Sequence, residues 1–140
     1  MASTLNFTTA PFTSVTQFTP TDTTTTKDIL ASNAVQDRRV YGITVYTDES
    51  VAKDVIVSIS NGTTTWKLTT VAIPLNTGNT NAIVPVDIFS STQFSPFVRN
   101  RDASGAAYIH IPAGWSLRLN YVATMTAAKT ANYVVVGETY

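Results

Sequence analysis

Lys53 to Leu75 reads KDVIVSISNGTTTWKLTTVAIPL. Val55, Val57 and Ile59 recur with period two, which places them on one face of a strand. Asn61-Gly62 follows at once, the dipeptide that best supplies the two positive-φ positions of a tight hairpin. The chain then resumes with Trp66, Leu68 and Ala72 on one side, with Thr70 among them, and Lys67 and Thr69 on the other. The stretch predicts two antiparallel strands and no helix.

The same period extends outward in both directions. In RRVYGITVYT (38–47), Tyr41, Ile43 and Val45 share a face. In IVPVDIF (83–89), Val84, Val86 and Ile88 alternate, and Pro85 marks an edge or a bulge because it cannot donate to a ladder. AYIHIP sets Ala107, Ile109 and Ile111 together. GWSLRLNYVAT aligns Trp115, Leu117, Leu119 and Tyr121 against Ser116, Arg118 and Asn120. TANYVVVGETY gives Ala131, Tyr133 and Val135. With an eighth strand near Lys27–Ser32, turn signals return every ~8–12 residues, the spacing of an all-β sandwich or barrel. The expected fold is all-β: a single jelly-roll-like β-sandwich of about eight strands over residues 27–140, preceded by an extended arm over residues 1–26.

The arm, residues 1–26, holds eleven of the chain's 25 threonines and one charged residue, Asp22. Threonine is stiff at χ1 and disfavours helix, and Pro11 and Pro20 remove backbone donors. Yet Leu5, Phe7, Phe12, Val15 and Phe18 punctuate it, and solvated tails are poor in aromatics. Such an arm packs on its own domain, docks on a neighbour or stays a free tail.

Composition narrows the function. The 140 residues carry nine Lys plus Arg and nine Asp plus Glu, a formal charge of zero, and only 13% are charged. A neutral chain releases few phosphate counterions, so a nucleic-acid partner is not expected. No apolar run reaches the ~20 residues of a spanning helix, so no membrane partner is expected either. MASTLNFTTAPF shows neither a basic n-region nor an apolar h-region, so no signal peptide is expected. Without cysteine there is no disulfide or thiolate chemistry, and one histidine, His110, cannot supply a multi-histidine metal site.

No motif points to catalysis. His110 lies mid-strand in AYIHIPAG, where a satisfied strand histidine is the plain reading. Asp48-Glu49 reads as a turn between strands rather than a carboxylate pair for glycoside hydrolysis. Thr47, Asp48 and Glu49, or Asn76, Asn79 and Asn81, would supply a few oxygens to calcium, but turns use the same residues without any ion. IPAG also occurs in cupin barrels, which bring several histidines to one cavity. Trp66 and Trp115 could stack on sugars, but their apolar register favours the core. The sequence therefore predicts a non-enzymatic chain with no metal and no cofactor. A long gap, Ser90 to Ser104, carries Phe94, Phe97, Arg99 and Arg101, and a structureless connection of that length is more often functional than idle. Phe7, Phe12, Phe18, Phe94, Phe97, Arg99 and Arg101 are the candidate partner-binding residues. Strand faces opposite the core carry threonine, serine and asparagine in place of lysine and glutamate, and such faces are cheap to cover.

From about Asp28 to Tyr140 the chain resembles small virion proteins of tailed bacteriophages. The segments that carry the resemblance are RRVYGITVYT, VIVSISNG, WKLTTVAIPLNTG, VPVDIF, RDASGAAYIHIPAGWSLRL with its IPAG-x-S-L turn, and the terminal YVVVGETY with its G-E/D-x-Y ending. The resemblance implies a β-sandwich of the capsid decoration, or cement, type. It further implies a homo-oligomer, with a trimer favoured, whose partner is the major capsid protein. Such a chain is made in the host cytoplasm and resides on the capsid surface. A tail or neck structural protein, or a carbohydrate- or receptor-binding module, is the alternative.

Overall fold

The computed structural model describes residues 9–140. Two antiparallel sheets pack face to face as a β-sandwich, with no α-helix among the described residues. The strands are β1 (Ala10–Phe18), β2 (Lys27–Leu30), β3 (Arg38–Thr47), β4 (Lys53–Ser60), β5 (Thr65–Ile73), β6 (Val86–Asp87), β7 (Asn100–Arg101), β8 (Ala107–Ile111), β9 (Ser116–Tyr121) and β10 (Ala131–Thr139). Eight of these have four residues or more, and β6 and β7 have two. The first sheet runs β1-β10-β3-β8-β7, with β6 also paired to β3; the second runs β2-β9-β4-β5.

Inward residues of both sheets make one core. Val55 and Val57 of β4, Leu117, Leu119 and Tyr121 of β9, and Ala131, Tyr133 and Val135 of β10 are all buried, on the faces that period two assigns them. The Tyr121 and Tyr133 hydroxyls meet between the sheets at 2.9 Å. Phe18 stands edge-on to both rings, at 5.6 and 5.3 Å.

Two strands depart from simple alternation, for one reason. In the β10–β3 ladder Val136 faces Gly42 and Gly137 faces Val40, so Tyr41 is an extra residue with no opposite number. Beyond such a bulge the two faces exchange. Val40 thus joins Ile43 and Val45 in the core, and Tyr41, expected there, turns outward. In β4–β5, Val57 faces Thr69 and Ser58 faces Lys67, so Leu68 is the extra residue. Val71 and Ile73 fill the core, while Ala72, expected inside, is exposed. Val84, placed by alternation with Val86 and Ile88, is also exposed. Trp66, expected in the core, is 43% exposed and stacks at 5.3 Å on the half-buried Trp115.

The Thr-rich segment belongs largely to the sandwich. Residues 10–18 are extended, as expected of the arm, but they form the edge strand β1, paired with β10 from Ala10↔Thr139 to Phe18↔Ala131. Ser14 Oγ and Thr16 Oγ1 donate across to the backbone carbonyls of Ile29 and Asp28 on β2, at 3.1 and 3.3 Å. These hydroxyls close the seam between the two sheet edges. Among the described residues the packed unit therefore includes β1 together with residues 27–140. Phe7 lies outside the described residues.

Candidate functional site

The candidate residues divide into two groups that the fold keeps apart. Phe12 and Phe18 belong to β1, and Arg101 to β7, at opposite edges of the first sheet with three strands between them. At ~4.8 Å per strand the two edges stand roughly 19 Å apart.

Phe18, expected at a partner surface, offers none while β1 stays in place. It is fully buried against Tyr121 and Tyr133, so a partner reaches it only by unfolding β1. Phe12 is half-buried and lies on Gly137: a Cβ built on that glycine would stand 2.7 Å from the Phe12 ring and 2.1 Å from the Arg39 carbonyl oxygen. Phe94 is also a correction. It is fully buried, with its ring 5.2 Å from Phe89 and 6.0 Å from Phe97, and it anchors the 90–104 segment to the core.

Phe97, Arg99 and Arg101 remain at the surface. A 3-10 turn over Ser95–Phe97, started by Pro96, brings Phe97 out to 39% exposure. The next residues border an open cleft of about 410 Å³ lined by Ser95, Pro96, Val98, Arg99 and Arg101. Arg99 Nε donates to the Pro96 carbonyl at 3.0 Å, and neither arginine has an acidic partner among the described residues. The cleft can therefore accept an anionic group.

A second cluster had no sequence signal. The bulge that turns Tyr41 outward sends its hydroxyl to Glu138 Oε1 at 2.8 Å and Asp102 Oδ2 at 2.9 Å. Arg39 Nη1 donates to the same Glu138 oxygen at 3.1 Å, and its guanidinium lies over the rings of Tyr140 and Tyr108 at 4.2 and 5.1 Å. Burial and the hydrogen bond to Glu138 push the Tyr41 phenol up. Asp102 accepts from Ser104 Oγ at 2.7 Å and from the Ser104 and Ala106 amides at 2.9 Å. The Ser104 hydroxyl first, and then Tyr41 and these amides, hold its carboxyl down at about 2. The cluster ties the base of the 90–104 segment to β10 and β3. His110 shares a hydrogen bond with the Tyr140 hydroxyl through Nδ1 at 2.7 Å, and its Nε2 lies 3.5 Å from Asp37.

Asp48 and Glu49 do lie in the β3–β4 turn, but Glu49 is 1% exposed. Its two carboxylate oxygens accept from the Thr126 amide and hydroxyl at 2.6 and 2.7 Å, fastening the 122–130 loop. Asp48 accepts from the Thr130 amide at 2.7 Å. Asn79 and Asp48 border one small cleft, so the two turns considered for calcium adjoin, yet no three His, Cys, Asp or Glu side chains converge among the described residues.

The broadest feature is the outer face of the first sheet. Across β1, β10 and β3 it presents the rows Thr13–Val136–Gly42, Val15–Val134–Thr44 and Gln17–Asn132–Tyr46. No Lys, Arg, Asp or Glu occurs among these nine, and Val15 is 63% exposed. No family model, no curated protein and no solved structure matches this chain.

Proposed function

We propose that this chain is a non-enzymatic structural protein of a phage virion. Its role is capsid decoration: each copy bridges neighbouring subunits of the major capsid protein and so stabilises the head. The observation that carries this reading is the patch of nine uncharged positions on the outer face of β1, β10 and β3, bounded at one end by the Arg39–Glu138 ion pair. Covering it removes valine and tyrosine surface from water without desolvating an ion. The cleft lined by Arg99 and Arg101 adds a second contact, one that takes an acidic group of the shell. A specific interface buries on the order of 1,600 Å² in total, and two patches at separate edges suit a bridge between two subunits better than one patch does.

The strand order supports a scaffold role. Numbering only the eight strands of four or more residues, the sheets read 1-8-3-6 and 2-7-4-5. We infer from this order a jelly roll, an architecture used by capsid domains, lectins and cupins. The fold is common to several functions, so the role rests on the surfaces and on the resemblance of the sequence to cement proteins. Copies assemble as trimers on the capsid surface, and symmetric repetition multiplies modest contacts into avidity.

The test is stoichiometry and rebinding. A decoration protein is a major component of purified particles, and the isolated chain rebinds particles stripped of it. A chain present in a few copies, or one that binds no stripped particle, overturns the reading in favour of a tail component. The exposed Trp66 face stacked on Trp115 favours a second reading, carbohydrate binding. Glycan-dependent quenching of tryptophan fluorescence supports that reading, and an unchanged spectrum across a glycan panel removes it.

A further inference from the structure

Strand β1 is joined to the sandwich by a turn that its own residues resist. The Thr25 amide donates to the Asp22 carbonyl at 2.9 Å, closing a four-residue turn. Its first central residue, Thr23, has φ 50° and ψ −118°. Those angles belong to the first central position of a type II′ turn, which is glycine's place. A β-branched residue there is an outlier, and such strain persists only where the surroundings over-determine it. Here the restraints are local. Asp22 accepts from the Thr19 amide at 2.8 Å and pairs with Lys27 at 3.2 Å, and Lys27 Nζ donates to the Gln17 carbonyl at 2.6 Å.

What β1 contributes does not depend on which molecule supplies it. The ladder to β10, the Ser14 and Thr16 bonds to β2, and the Phe18 ring between Tyr121 and Tyr133 form identically with the β1 of another copy. Only the turn differs, and opening it releases Thr23. Extended, the eight residues from Thr19 to Thr26 span up to ~26 Å, enough to carry β1 clear of its own sheet. The strand carries no charged side chain, so a foreign sheet meets no ionic objection.

We propose that β1 is an exchangeable strand, and that its partner is a second copy of this chain. In the exchanged form the turn at 22–25 opens, and β1 completes the β1–β10 ladder of the neighbour in the same register. Strained hinge loops favour such exchange. A dilute chain keeps its own strand because that contact is intramolecular. Copies crowded on an assembly meet at effective concentrations of about millimolar, where relief of the turn decides the balance. The proposal rests on the reading that the chain works as an assembly.

The chain has no cysteine, which gives a clean background for crosslinking. Val15 faces Val134 in the ladder. Opposite residues of antiparallel strands lie about 4.5–5.5 Å apart, inside the roughly 4.4–6.8 Å window of a disulfide. Chains carrying V15C and chains carrying V134C are unfolded, mixed, refolded together at about millimolar concentration and oxidised. Exchange predicts a V15C–V134C heterodimer in clear excess over either homodimer on a non-reducing gel. Introducing Thr23→Gly into both chains lowers its yield roughly 5- to 100-fold, the range that matches strain of this kind. A V15C homodimer in excess instead indicates edge-to-edge pairing and overturns the proposal. So does a chain that crosslinks to no partner, or a heterodimer yield indifferent to Thr23→Gly. The pair T13C and V136C, also opposite one another, repeats the test if V134C folds poorly. These outcomes concern purified chains alone, so a failed exchange leaves the rebinding of stripped particles to judge the decoration reading by itself.

Discussion

Tyr121 and Tyr133 are fully buried, and their hydroxyls satisfy one another across the core at 2.9 Å. Truncating either to phenylalanine strands the other hydroxyl without a partner, which costs about 1–3 kcal/mol, whereas removing both leaves an apolar contact of similar shape. Y121F and Y133F should each lower the urea midpoint, and the double variant should lose far less than the sum of the two. Additive losses would show that the hydroxyls are bonded elsewhere. The same pair sets an alkaline limit. Burial pushes the Tyr121 phenol up to about 12 and the Tyr133 phenol well above its ordinary value. Both are neutral in folded and unfolded chains below pH ~10, the ordinary tyrosine value, so their contribution is then complete. Above that pH the unfolded chain ionises first, and stability falls as pH climbs through 10 towards 12. Urea midpoints measured across this window should decline in the native chain and decline less in the Y121F/Y133F double variant. A flat profile in the native chain would contradict the burial of both hydroxyls.

Among elements, β10 shows how a single residue governs a ladder. Gly137 sits at the bulge, with the Arg39 carbonyl on one side and the Phe12 ring on the other. Gly137→Ala forces backbone and ring apart together, and overpacking of this sort costs about 1–3 kcal/mol. Hydrogen exchange should report the loss first in β1 and at Glu138, while β4, β5 and β9 keep their protection. Uniform loss across both sheets would mean that β1 and β10 do not open as a separate unit. This bulge also marks the boundary of what alternation reveals. In β9 and β10, Leu117, Leu119, Tyr121, Ala131, Tyr133 and Val135 are legible because no residue interrupts the period between them. In β3 the extra Tyr41 exchanges the faces, and in β5 the extra Leu68 does the same, so plain alternation puts Tyr41 and Ala72 on the wrong side. Gly42 and Gly137 were the available sign in β3, since an isolated glycine within a strand pattern suggests a bulge; β5 offered none. The surface residues Phe97, Arg99 and Arg101 were legible because they are neighbours in one connection. The Tyr41–Asp102–Glu138 cluster was not, since its partners lie 61 and 97 residues from Tyr41 and meet only through register and bulge.

For the whole molecule, the question is why the sandwich leaves nine adjoining sheet positions without a charge. Stability does not require it, because these side chains point away from the core and Val15 is mostly exposed. A free-standing sheet usually guards such ground with lysine or glutamate, at little cost to folding. Their absence here has a physical consequence only when another surface arrives: an ion at Val15 would have to be desolvated or paired. Val15→Lys is therefore the discriminating substitution. Its side chain projects from an exposed position on an edge strand, so the thermal midpoint should change little, since surface substitutions usually stay within about 0.5 kcal/mol. Rebinding to stripped particles should fall by at least tenfold, because desolvating one unpaired ammonium at the centre of a contact costs more than the ~1.4 kcal/mol that a factor of ten represents. Arg101→Glu, at the opposite edge of the same sheet, should weaken rebinding independently, so that the two losses multiply in the double variant. A V15K chain that rebinds like the native chain would place the contact on another face, and the Arg101 cleft would then have to act without the sheet.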